Sequence, residues 1–198
     1  MEIMVATNNR HKLREIRELF PASRILSPGE AGIEFFHEET GNTFLENALG
    51  KASALQQLSG RPVLADDSGL VVPSLDYEPG IYSARYGDES FTDEMRNDYL
   101  LKCMEGLRDR RAWFVCALVV IIDAYRHISV QERVDGSIAL SPCGSGGFGY
   151  DPVFYLPEYG CTMAELPPEE KHRISHRGKA GRAVSRMLDA WKETQGEG

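Results

Sequence analysis

The sequence predicts an α/β protein: a mixed central sheet flanked by helices, with two lobes around a cleft, in a single domain over residues 1–198. Three observations carry this. Apolar residues recur at helical spacing in several stretches, with short β-branched runs between them. Residues 112–134 read as two strands in a hairpin, which makes the sheet mixed and not purely parallel. The 198 residues and 42% hydrophobic content suffice for a core without disulfides or metals as staples.

Ile3 to Ala6 reads as a short strand. Arg10 to Phe20 reads as a helix, with Leu13, Ile16 and Phe20 on one face and Pro21 stopping it. Residues 21–41 are irregular, with a strand expected near Ile33 to Phe36. Thr43 to Ser59 is the clearest helix of the first half. Thr43 and Glu46 form a capping box, and Phe44, Leu45, Ala48, Leu49, Ala52, Leu55 and Leu58 form the apolar stripe. Gly60 and Pro62 end it. Pro62 to Ala65 and Leu70 to Val72 are expected as two short strands around a loop, Asp66-Asp67-Ser68-Gly69. Phe91 to Leu107 reads as a helix. Ala112 to Ile122 is β-branched and aromatic and reads as a buried strand, paired with His127 to Val134. Val153 to Tyr155 is a further short strand. The last helix is expected over Lys179 to Lys192, after an interruption at Gly178.

The formal net charge is −8 and the pI about 5.2. A duplex-binding protein carries a basic surface, so no nucleic-acid partner is expected. The charge is uneven, however. Five Lys or Arg and two Glu between Glu169 and Arg182 leave that stretch at +3 and the rest of the chain at −11. A basic cluster on an acidic body suits a small polyanion better than a polymer. The longest apolar run, Ala112 to Ile122, has 11 residues, against about 20 for a membrane span. The opening Met1 to Ala6 is short, carries Glu2 and does not read as a signal peptide. No membrane partner is expected, and the expected address is cytoplasmic. Cys103, Cys116, Cys143 and Cys161 form no C-x-x-C pair, so reduced thiols in or near the core are expected.

The chain has no G-x-x-x-x-G-K-[ST], H-E-x-x-H or G-x-S-x-G string. Gly144 to Gly149 fits G-x-G-x-x-G, but the strand-like Tyr150-Asp151-Pro152-Val153-Phe154 follows where a dinucleotide site needs a helix. Four constellations remain. Thr7, Asn8, Asn9, Arg10, His11 and Lys12 join a strand end to a helix start, where amides, helix dipole and a lysine suit phosphate; the same string also reads as a plain polar turn. Glu38-Glu39 and Asp66-Asp67 place carboxylates on two separate segments that can converge on Mg2+, or stand as surface acids and an Asx turn. Gly146 to Pro152 lets backbone approach a ligand, with Phe148 to stack on a flat ring and Asp151 for a polar edge; it also reads as a glycine turn with one core aromatic. Glu169 to Lys179 is basic around a single aliphatic, and a solvated helix face is its other reading. Lys51 lies among apolar neighbours of the Thr43 helix, where its stem can snorkel or its ammonium can enter a cleft. Jointly, these describe a nucleotide site: metal carboxylates, phosphate lysines, an aromatic platform and base-edge donors.

Six strings in one order carry a resemblance: T-N-N-R-H-K at 7–12, E-E-T-G-N-T-F-L-E-N-A-L-G-K-A at 38–52, A-D-D-S-G-L at 65–70, P-G-I-Y-S-A-R-Y at 79–86, G-G-F-G-Y-D-P-V-F at 146–154 and E-E-K-H-R-I-S-H-R-G-K-A at 169–180. The chain resembles the inosine triphosphate pyrophosphatase family. The resemblance implies an elongated central sheet with two lobes and a homodimer. It also implies Mg2+-dependent hydrolysis of ITP, dITP and XTP to the monophosphate and pyrophosphate, which cleanses the nucleotide pool of deaminated purines. It gives Asp67 the role of proton acceptor and metal ligand, with Asp66 supporting, and makes Glu39 the second metal carboxylate. Thr7, Asn9 and Lys12 of the 7–12 turn, together with Lys51 of the Thr43 helix, become triphosphate contacts, with Ser68 beside them. Phe148 stacks on the purine, walled by Gly149, Tyr150 and Asp151, and Lys171, Ser175, His176 and Arg177 read the base edge. Asn8 stands where the family often has a small or polar residue. Arg85 fits its string without an assigned role. A pyrophosphatase for another modified or canonical nucleotide, or a non-catalytic nucleotide-binding protein, are the alternatives.

Overall fold

The computed structural model describes residues 1–195. One seven-stranded mixed sheet runs in the order β2-β1-β3-β4-β5-β6-β7. Its strands are β1 (Glu2–Val5), β2 (Arg24–Leu26), β3 (Val63–Val71), β4 (Arg111–Asp123), β5 (Arg126–Ile138), β6 (Phe154–Leu156) and β7 (Cys161–Thr162). β1 is parallel to both β2 and β3, while β6 is antiparallel to both β5 and β7. The helices are α1 (Arg10–Leu19), α2 (Phe44–Ser59), α3 (Asp93–Cys103), α4 (Pro168–Ile174) and α5 (His176–Gln195). The α/β class with a mixed sheet is thus as the sequence predicts. No helix among the described residues is long and apolar enough to cross a membrane.

The chain divides into two compact units. The first comprises Met1–Asp67, Cys116–Glu132 and Arg177 onward. Strand residues alternate faces, so its strands feed two cores. Ile3, Val5, Leu64, Leu118 and Val120 pack with Ile16 of α1, with Phe20 just after it and with Val184 and Leu188 of α5. Met4, Ala6, Val63, Ala65, Val119 and Ile121 pack with Ala48, Ala52 and Leu55 of α2. The second unit comprises Ser68–Val115 and Arg133–His176. Its core gathers Leu70, Leu100, Met104, Phe114, Ile138, Tyr150, Phe154 and Met163. Each fully buried large apolar side chain contributes about 1.5–3 kcal/mol.

Six expectations are corrected. The string 66–69 is not a loop between two strands but the middle of β3, because cations compensate both buried carboxylates, as described below. β2 forms where no strand is expected, and residues 33–36 stay irregular, although Ile33 and Phe35 pack against the α2-side core. The α2 stripe is narrower than its periodicity suggests: Leu45, Leu49 and Leu58 are exposed, while Asn47 and Lys51 are buried beside Ala48 and Ala52. Gly178 lies inside α5, and the break falls at Ser175, the extended residue that ends α4. Of the four free cysteines, Cys143 is exposed and Cys116 alone is fully buried. α3 is shorter than expected at both ends, since Thr92 caps its start and Met104 closes it.

Candidate active site

In the first unit the site begins at β3. Alternation sends Asp66 to the α1 and α5 face with Leu64, and Asp67 to the α2 face with Ala65. Asp66 is fully buried. Its Oδ2 accepts from Arg177 Nη2 at 2.9 Å and Nε at 3.2 Å, and Lys12 Nζ lies 3.2 Å away. Burial favours the neutral acid, but Lys12, Arg177 and Lys51 outweigh it and hold the Asp66 carboxyl well below the usual carboxylate range. Arg177 donates a third hydrogen bond, Nη1 to Glu15 Oε2 at 2.6 Å. Burial opposes its charge, yet Asp66 and Glu15 raise its pKa above the ordinary arginine value.

Asp67 differs. Burial is the largest influence and pushes its carboxyl up; Lys51 and Lys12 pull against it, and Glu39 adds to the rise. Asn47 Nδ2 donates to Asp67 Oδ2 at 3.1 Å, while Asn47 Oδ1 accepts from Gly41 N at 2.8 Å. One buried carboxamide on α2 therefore ties Asp67 to the segment that carries Glu39. Glu39 Oε1 accepts from Lys51 Nζ at 2.6 Å, and Asp67 Oδ1 lies 3.6 Å from the same ammonium. Burial lowers the proton affinity of Lys51, but Asp67, Asp66 and Glu39 more than restore it, and its pKa is raised.

These carboxylates fit a divalent cation. Glu39 and Asp67 already bracket one positive charge, that of Lys51, and both offer hard oxygens. Among the described residues no three His, Cys, Asp or Glu gather as a complete metal cage. An ion here needs water and substrate oxygens to complete its shell, which is the habit of Mg2+.

The turn before α1 is built around its helix cap. Asn9 is the helix cap, and its side chain accepts from His11 N at 2.9 Å and Lys12 N at 3.1 Å. Those two amides serve the cap. Thr7 Oγ1 accepts from Asn9 N at 3.1 Å, and Asn8 Nδ2 donates to Phe35 O at 3.2 Å. Arg10 and His11 are exposed on the first turn of α1. Lys12 joins the string to the acidic cluster through Asp66.

In the second unit Asp151 is buried, and its Oδ2 accepts from Phe148 N and from Lys171 Nζ, both at 2.8 Å. The Lys171 ammonium stands 4.8 Å from the Phe148 ring centroid, a cation–π contact. Tyr150 OH donates to Ser83 O at 2.9 Å, and burial pushes its phenol up. Ser175 and His176 are buried where α4 gives way to α5, and the His176 ring stacks on Phe114 at 4.9 Å. Ser68 is half-buried in β3. Arg85 lies over the Tyr82 ring and lines a recess of about 530 Å³ with Glu78, Tyr86 and Tyr99.

Sequence reasoning missed Glu15, Asn47, Asp93 and Asn97. Two carried a signal. Asn47 is a polar residue inside an otherwise small and apolar helix face, four residues before Lys51. Glu15 follows Lys12 by three residues, on the same face of α1.

Comparison with known proteins agrees with this architecture. The model of the Ham1 family matches residues 3–187. A dITP/XTP pyrophosphatase of Treponema denticola is 48% identical over 191 residues, covering 95% of this chain and 98% of the relative. One of Thermus thermophilus is 47% identical over 197 residues, covering 98% and 93%. The solved Ham1 protein of Staphylococcus aureus superposes with a TM-score of 0.89 at 41% identity, covering 97% of this chain and 100% of that one. A HAM1 protein of Coxiella burnetii gives 0.89 at 38% identity, covering 96% and 99%. The chain belongs to the Ham1 family, and its six ordered strings lie within the matched residues.

Proposed function

We propose that this chain hydrolyses the triphosphates of deaminated purines, ITP, dITP and XTP, to the monophosphate and pyrophosphate with Mg2+, and so clears them from the nucleotide pool. The observation that carries this reading is the convergence of Glu39 and Asp67 on the Lys51 ammonium, in a unit that also holds Lys12 beside Asp66. The relatives from Treponema denticola and Thermus thermophilus, named dITP/XTP pyrophosphatases, support the substrate class.

Asp67 accepts the proton of the attacking water. Its buried carboxyl has a raised proton affinity, which suits a general base. Asp66 is the poorer base, because Lys12, Arg177 and Lys51 lower its proton affinity. The water oxygen bonds to the α-phosphorus, the bond to the bridging oxygen breaks, and pyrophosphate leaves. Lys12 and Lys51 set positive charge against the triphosphate, with Thr7 and Asn9 shaping the turn beside it. Glu39 and Asp67 would hold Mg2+, which would supply further positive charge near the phosphate oxygens.

Phe148 gives the purine a stacking face, walled by Gly149, Tyr150 and Asp151. Lys171, Ser175, His176 and Arg177 read its edge, Arg177 being oriented by Asp66 and Glu15. Hypoxanthine and xanthine present a carbonyl at position six, which accepts from these donors. Adenine presents an amino group there, and an unpaired buried donor costs about 1–3 kcal/mol. Guanine shares the carbonyl and must be refused at its two-position amino group. Arg177→Ala therefore lowers the preference for ITP over ATP.

Phosphorus NMR of the products from ITP, XTP, GTP and ATP, with Mg2+ and with chelator, tests this. Pyrophosphate and monophosphate from ITP and XTP alone, and none with chelator, is the expected result. Orthophosphate and diphosphate would mean that another bond is cut, and no turnover would leave a nucleotide-binding protein. The proposal includes a cytoplasmic homodimer, which sedimentation velocity checks for its oligomeric part.

A further inference from the structure

Helix α3 grips the one residue that follows the proposed stacking platform. The Gly149 amide donates to Asp93 Oδ2 at 2.8 Å, and the Gly149 carbonyl accepts from Asn97 Nδ2 at 3.0 Å. Asp93 and Asn97 are four residues apart, so both stand on one face of the helix. Gly149 has a φ of +62°, and Gly146 and Gly147 precede Phe148, so this backbone has little stiffness of its own. The grip supplies it.

The two gripping side chains are themselves held. Arg96 Nη1 donates to Asp93 Oδ1 at 3.0 Å, and its Nη2 donates to Phe91 O at 2.8 Å. Asp93 thus has one oxygen on Arg96 and the other on Gly149. Asn97 is 4% exposed, and its Oδ1 is buried without a hydrogen-bond partner among the described residues. Such an atom costs stability. A side chain present only to fill space would avoid that cost, so the contact made by the other half of the carboxamide is what Asn97 contributes. On the other side of Phe148, Asp151 holds its amide, and Tyr150 is fastened to Ser83.

We infer that Asp93 and Asn97 are positioning residues for purine recognition, fixing the Gly149 peptide from both sides and so the orientation of the Phe148 ring. The inference rests on the reading of Phe148 as the stacking face. A ring held in place binds a base without first losing conformational freedom.

The test compares Asn97→Ala, Asp93→Ala, Asp93→Asn, Phe148→Ala and the double variant Asn97→Ala with Phe148→Ala. Losing a base–aromatic stack costs about 5- to 150-fold in affinity. Phe148→Ala should raise the KM for ITP within that range, and Asn97→Ala and Asp93→Ala by roughly tenfold, with kcat changed less than about threefold. Asp93→Asn keeps an acceptor oxygen and should restore most of the loss. Inhibition by inorganic tripolyphosphate, which carries the phosphates and no base, should be unchanged in all. The double variant should be no worse than Phe148→Ala alone, because a positioning residue has nothing left to position.

Fold effects that multiply in the double variant, or a tripolyphosphate affinity that falls in parallel, would overturn the inference in favour of a general structural role. Should Asn97→Ala not fold, the exposed Asp93 pair carries the test. A silent Phe148→Ala overturns the site reading itself. An effective Phe148→Ala beside silent Asp93 and Asn97 variants overturns only this inference.

Discussion

Arg177 and Asp66 meet with both side chains almost wholly out of water, at 3% and 0% exposure, and two nitrogens of the guanidinium converge on the same oxygen, Asp66 Oδ2. Glu15 takes a third N–H from the other edge. Two carboxylates therefore share one guanidinium, and Lys12 brings the second cation to Asp66. Removing one partner of such a buried set leaves an uncompensated charge, at a cost of about 3–5 kcal/mol. Asp66→Ala should destabilise the protein by that amount, lowering Tm by roughly 6–20 °C for a chain of this size. Glu15→Gln keeps an acceptor but loses the charge, so its shift should be smaller. Thermal melts at pH 7 check both, and an Asp66→Ala melt equal to wild type would deny that the cluster holds the fold.

Asp67→Asn should leave nucleotide binding intact and lower kcat by about 10²- to 10⁴-fold, the usual value of a general base. Asn47→Ala is the more revealing variant. Asn47 touches Asp67 through its Nδ2 and the Glu39 segment through Gly41, so it sets where both carboxylates stand. Outer partners of this kind are worth about 10- to 100-fold in metal affinity or activity. The half-saturating Mg2+ concentration should rise within that range in Asn47→Ala, measured by initial rates at saturating ITP.

Acid stability has an identifiable component at Glu30. Its carboxyl is lowered from 4.5 to about 2, first by the Ser27 amide, then by Arg17 and the Ser27 hydroxyl. A folded-state pKa below the unfolded one means that the contribution is present above the unfolded value and is lost as pH falls through the folded one. The window is therefore between about pH 4.5 and pH 2. Glu30→Gln should melt below wild type at pH 7, and the two curves should merge below pH 2. The group is largely exposed, so the difference at pH 7 will be small.

The charged members of the site were legible because they stand in short strings at element ends: Lys12 just inside α1, Glu39 ahead of α2, Lys171 on α4. What holds them was not legible. Arg177 stands 111 residues from Asp66, a separation no local pattern reveals. Without that cation, Asp66-Asp67 is correctly disfavoured in a strand, which is why a loop is the sequence expectation and β3 the result. β2 was invisible because three residues carry almost no period, and its parallel pairing with β1 supplies what propensity does not. Asn97 lies on a helix whose polarity gives little sense of an inside, so the residue that reaches Gly149 looks like any other asparagine.

The Asp151 carboxylate is the hub of the second unit, and Gly147 is what leaves room for it. Gly147 has a φ of +73°, and a Cβ there would lie 2.0 Å from Asp151 Oδ2. That oxygen accepts from both Phe148 N and Lys171 Nζ. Gly147→Ala must therefore move Asp151 or rebuild the turn, and either change releases Phe148 and Lys171 together. The strained backbone adds a cost of about 1–3 kcal/mol. Affinity for inosine monophosphate should fall more in Gly147→Ala than in Lys171→Ala, because the first loses the proposed stacking face and edge donor while the second loses the donor alone. Calorimetric titration of each variant with inosine monophosphate separates the two. Equal losses would mean that Asp151 serves Lys171 only, and that Phe148 keeps its place without it.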